Sequence, residues 1–131
     1  MKILSLLAAG LAASTCLVVS RGTSDATLGV LGCLVTPSQG SQSFTKTCSP
    51  DVVASSYDVV FEVLKSGSTS YAWTVPAPWS SHIVSGCQSN TSSCTVTASG
   101  QDSFTVSVTL FPGQTTGSAT AILDACGSSY C

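Results

Sequence analysis

Ser103-Phe104-Thr105-Val106-Ser107-Val108-Thr109-Leu110-Phe111 is the stretch that decides the fold. Phe104, Val106, Val108 and Leu110 fall on one face, and Ser103, Thr105, Ser107 and Thr109 on the other. Successive side chains of a strand point to opposite faces, so this alternation reads as a half-buried strand in a sheet with one wet face. Pro112-Gly113 supplies a turn after it, and Gly117 to Leu123 follows as a strand of mostly small residues. Upstream, Cys94 to Ala98 alternates again and reaches Ser103 through the turn Gly100-Gln101-Asp102.

The same period runs back toward the N-terminus. In Tyr57 to Leu64, Tyr57, Val59, Phe61 and Val63 share a face opposite Asp58, Val60, Glu62 and Leu64. Ser66-Gly67-Ser68 turns the chain into Ser70 to Val75, where Tyr71, Trp73 and Val75 share a face. Pro76 and Pro78 end that strand, because proline cannot donate to a ladder. Leu28 to Val35 and Phe44 to Cys48 are expected to form a hairpin around Pro37-Ser38-Gln39-Gly40. No amphipathic helix, internal repeat or long linker interrupts the series. The expectation is one all-β domain, an antiparallel sandwich of about seven strands.

The first residues have a different character. Lys2 precedes an apolar run from Ile3 to Val19, the pattern of a secretory signal peptide. Cleavage after Ala26, or after Ser20, obeys the small-residue rule, which divides the chain into a signal at 1–26 and a domain at 27–131. Arg21 and Asp25 end the run short of the roughly 20 apolar residues that a spanning helix needs, so no membrane span is expected in the mature chain. Cys16 is an alternative lipid-attachment point, although Ala13-Ser14-Thr15 is a poor version of the sequence that precedes such a cysteine.

Cleavage after Ala26 leaves Lys46 and Lys65 against Asp51, Asp58, Glu62, Asp102 and Asp124, two positive charges against five negative, net −3. A surface with two lysines and no arginine cannot neutralise a row of phosphates, which excludes nucleic acid as a partner. Serine and threonine must supply most of the polar surface. Of the 7 cysteines, six remain after the signal: Cys33, Cys48, Cys87, Cys94, Cys126 and Cys131. An even number in a short exported chain reads as a disulfide framework. The expected pairs are Cys33–Cys48, Cys87–Cys94 and Cys126–Cys131, with Cys33–Cys126 as a long-range alternative. Zinc favours closer spacings and histidines, and His82 is the only histidine, so no metal or other cofactor is expected.

Ser70-Tyr71-Ala72-Trp73-Thr74-Val75-Pro76, Ile83-Val84-Ser85-Gly86 and Thr95-Val96-Thr97, followed by Phe104 to Val108 and Ala125-Cys126-Gly127, resemble the PKD-like branch of the immunoglobulin-like folds. The resemblance covers roughly residues 50–127. It implies a non-catalytic extracellular module of the kind attached to surface proteins or secreted hydrolases. The W-x-F-G-D-G signature of the better-known PKD domains is absent, so no binding residue is carried over.

The candidate sites are few. Trp73 reads as the core tryptophan of a central strand. Trp79 sits in the irregular stretch Pro76 to His82, where a rigid aromatic could stack on a sugar or anchor a partner, and His82 stands beside it. Ser80 and Ser81 adjoin His82, but no G-x-S-x-G elbow exists and the acidic residues are scattered singly, so no catalytic residues are assigned. Asn90-Thr91-Ser92 is an N-glycosylation sequon, meaningful only in a eukaryotic host. The expected function is a secreted, disulfide-stabilised, non-enzymatic module that binds an extracellular protein or glycan. The alternatives are a structural cell-surface component, with Cys16 as its lipid anchor, and a small secreted effector or inhibitor.

Overall fold

A computed structural model describes residues 29–123. The expected signal segment with its two expected cleavage points, Cys16 and the expected Cys126–Cys131 pair lie outside the described residues. Within them the chain forms eight strands: β1 (Leu31–Thr36), β2 (Thr47–Cys48), β3 (Ser56–Val63), β4 (Ser70–Thr74), β5 (Ile83–Gly86), β6 (Ser93–Ser99), β7 (Ser103–Phe111) and β8 (Thr115–Ile122). A single 3-10 turn, Trp79–Ser81, stands between β4 and β5. The strands form two four-stranded sheets, ordered β1-β3-β6-β5 and β2-β8-β7-β4. Every pairing is antiparallel except β2 with β8. Among the described residues no helix is long and apolar enough to cross a membrane.

Alternation decides which side chains meet between the sheets. In the first sheet Cys33, Phe61 and Cys94 lie side by side across β1, β3 and β6, and Val35, Val59 and Val96 form the next row. In the second, Phe104 faces Ala121 and Val106 faces Ala119. These residues are buried in one shared core. Phe61 and Phe104 meet edge to face across it, with ring centroids 5.9 Å apart and planes at 62°. Removing such side chains from water at about 25 cal/mol per Å² is the main force holding the sheets together. Tyr57 is also buried, and its hydroxyl is satisfied locally: it donates to the Val52 carbonyl at 2.6 Å and accepts from the Ala54 N–H at 2.8 Å.

The run of small residues in β8 has a packing reason. β8 lies between β2 and β7, inside its sheet. Gly117 faces the start of β1, and a Cβ there would stand 2.6 Å from Cβ of Val30. Bulk is supplied by β1 and β7, so β8 has to be thin.

The described residues hold eight strands, against the expected about seven. Two expectations need correction. The anticipated hairpin of residues 28–48 is reduced to one antiparallel bridge, Cys33 with Thr45. β1 spends its ladder on β3, and the chain then changes sheets so that Thr47 and Cys48 pair in parallel with Thr120 and Ala121. Finally, Trp73 is not on a central strand: β4 is the edge of the second sheet, and the indole is half-buried there, packed against the core.

Two disulfides lie among the described residues, Cys33–Cys48 and Cys87–Cys94, both as expected. The first displaces the Cys33–Cys126 alternative. It joins β1 to β2, the edge strands of different sheets. The second closes the connection from β5 to β6. Gly86 enters that loop at φ +74°, and a side chain there would run into the Ser93 carbonyl.

Candidate functional site

The site is built by the segment that leaves β4. Pro76 and Pro78 stop the strand, and the chain curls into the 3-10 turn, with Ser80 N–H donating to Pro76 O at 3.0 Å and His82 N–H to Trp79 O at 2.9 Å. Trp79 anchors this turn. Its ring stacks on Phe104 at a centroid distance of 4.8 Å, 11° from parallel. Its indole N–H donates to Oδ2 of Asp102 at 3.0 Å. The same Asp102 oxygen accepts the Ser99 N–H at 3.0 Å, so one carboxylate ties the 3-10 turn to the β6–β7 turn.

The anchored turn delivers His82 to the outer side of the first sheet, where its carbonyl accepts the Thr97 N–H at 3.0 Å. His82 and Ile83 there border a shallow, open depression of about 380 Å³, completed by Ser56, Thr97, Ala98 and Ser99. The floor follows from register, since Ser56 pairs with Ser99 and Asp58 with Thr97. The Thr97 hydroxyl donates to Oδ1 of Asp58 at 2.6 Å, so a carboxylate outside the lining holds one of its hydroxyls. Ile83 is 40 % exposed and provides the apolar wall. Hydroxyls, an imidazole and one aliphatic face can hold a small polar ligand by hydrogen bonds and edge contact.

Of the two sequence candidates, His82 lies in this depression and Trp79 does not line it. One face and the single donor of the indole are spent internally, so Trp79 positions His82. Ser81, the neighbour that invited a hydrolase comparison, donates its hydroxyl to Pro78 O at 2.8 Å. Among the described residues no three His, Cys, Asp or Glu side chains converge as a metal site. Asn90 is exposed in the turn of the Cys87–Cys94 loop, where the Thr91 hydroxyl accepts the Gln88 N–H at 2.8 Å.

Sequence reasoning missed Ser56, Asp58, Thr97 and Ser99. Alternation does put Asp58 and Thr97 on wet faces of their strands. What brings them together is the pairing of β3 with β6, a register that no local pattern carries. Comparison with protein-family models, curated proteins and solved structures finds no match to this chain.

Proposed function

We propose that this chain is a secreted, non-catalytic, immunoglobulin-like binding module of the PKD-like kind, which takes an extracellular protein or glycan at the depression beside His82. The strand order supports the fold part of this reading. Immunoglobulin-like domains place their first, second, fifth and fourth strands in one sheet and the third, sixth and seventh in the other. The order β1-β3-β6-β5 against β8-β7-β4 follows that scheme once β2 is taken as an extra strand beside β8. Trp73 then occupies the third strand, where such domains carry a tryptophan. Two disulfides suit export to an oxidising compartment.

The observation that carries the binding part is the pairing of an exposed aliphatic wall with polar groups around one hollow, held by an anchored turn. A rigid site loses less entropy when it captures a ligand. The test is amide chemical-shift mapping of the folded protein against extracellular glycans and surface-protein extracts. Shifts are expected to centre on His82, Ile83, Thr97 and Ser99. A His82→Ala/Ile83→Ser variant should weaken binding by roughly tenfold or more, since 1.4 kcal/mol is lost easily when both a polar and an apolar contact go. Ligands that bind this variant unchanged would refute the assignment. Intact mass of the native protein tests the export reading: a start at Thr27 or Arg21 supports it, and a lipid-bearing start at Cys16 would replace it with a tethered surface component.

A further inference from the structure

We infer that the outer face of the β2-β8-β7-β4 sheet is a docking surface for an insoluble neutral polysaccharide, separate from the His82 depression. None of the four strands of this sheet contains an Asp, Glu, Lys, Arg or His. The first sheet differs, because Asp58 and Glu62 project from its outer face. A sheet face that only meets water is ordinarily kept soluble by interspersed charges. Here serine and threonine hydroxyls take that place at most positions of the face, with Ala72, Phe111 and the exposed Ile122 among them.

The hydroxyls are also ordered. Thr105 and Thr120 share a hydrogen bond of 2.8 Å across β7 and β8, and Thr109 and Thr116 share one of 3.2 Å. Ser107 and Ser118 stand in register between these two pairs. Adjacent strands lie about 4.8 Å apart and every second residue about 6.8 Å along. The result is a two-dimensional grid of hydroxyls, with the threonine methyls between them.

The absence of charge selects the partner. Carrying an ion against a neutral solid costs its hydration, with no counter-charge to offset the loss. A hydroxyl gives up water and regains an equivalent hydrogen bond from a sugar hydroxyl, at little net cost. Threonine methyls can rest on the C–H faces of pyranose rings. Each contact is weak, so the face needs an extended array of repeated units, as a polysaccharide surface offers and a soluble sugar does not.

Adsorption of the folded protein to microcrystalline cellulose and to chitin, measured as depletion from solution over a range of sodium chloride, tests this. Depletion by at least one of the two is expected. It should be insensitive to salt, because screening acts only between charges. Thr105→Lys/Thr109→Lys should reduce adsorption by roughly tenfold by placing two ammonium groups on the grid. Thr105→Val/Thr109→Val keeps the shape while removing hydroxyls, and should reduce it as well. His82→Ala should adsorb normally, so loss of the depression and loss of this face are read separately. No adsorption to either solid, suppression by salt, adsorption of both threonine variants as strong as that of the unaltered protein, or sedimentation as a dimer through this face would overturn the inference.

Discussion

At one edge of the molecule the covalent link crosses between sheets: Cys33 of β1 is bonded to Cys48 of β2. At the opposite edge, where β5 and β4 lie, Cys87–Cys94 stays with the first sheet. There the crossing is made by hydrogen bonds. The loop that this disulfide closes accepts the Tyr71 N–H at Ser89 O, 2.9 Å, and the Trp73 indole N–H at Thr91 O, 3.0 Å. One edge is joined directly, and the other through a loop that must be shaped before it can bond. Equal bonds therefore have unequal consequences. Losing the first frees two edge strands from each other, while losing the second loosens a loop that β4 depends on.

Three measurements sharpen this contrast. Cys33→Ala/Cys48→Ala should destabilise by about 3 kcal/mol through chain entropy alone, for a separation of 15 residues. Two newly exposed cavities would add to that. Cys87→Ala/Cys94→Ala, with a separation of 7, should cost about 2 kcal/mol. Urea unfolding of both variants would test the order, and the comparison fails if the second is the more damaging. Trp73→Phe should cost about 1 kcal/mol, keeping most of the packing while losing the bond to Thr91. In the Cys87→Ala/Cys94→Ala background the same change should cost less, because a released loop no longer offers its carbonyl. Additive effects in that double-mutant cycle would show that the loop holds β4 without its disulfide.

What was legible in the chain was whatever depends on neighbours in sequence. β3, β6 and β7 are readable because each alternates, β7 most clearly and β3 less cleanly, and the proline stop after β4 is readable because it is a local chemical fact. Both described disulfides are closed by short separations. The path of residues 37–48 was not legible: Phe44 to Cys48 alternates like a hairpin partner, yet only Thr45 meets β1 before the chain crosses to β8. A parallel strand of two residues leaves no periodic trace. β5 was not legible as a strand, since four residues with a register shift between Ile83 and Ser85 show no period. Of the site, His82 was legible as a lone imidazole in an irregular stretch. Its floor was not, because Ser56, Thr97 and Ser99 are ordinary hydroxyls until β3 and β6 align them. Trp79 was legible as special, but its stacking on Phe104 was not, because that is a contact between residues 25 positions apart.

The Cys33–Cys48 link also changes what a protease can accomplish. The segment between those residues includes exposed positions, among them Gln39, Gly40 and Ser41, where nicking enzymes prefer to act. A cut there opens the backbone but releases no fragment, because both new ends remain tied through the sulfurs. The nicked protein would keep its full mass on a gel until reductant is added. In a compartment rich in hydrolases, that first lesion is harmless to connectivity, and only a second cut or a loss of oxidising conditions turns it into degradation.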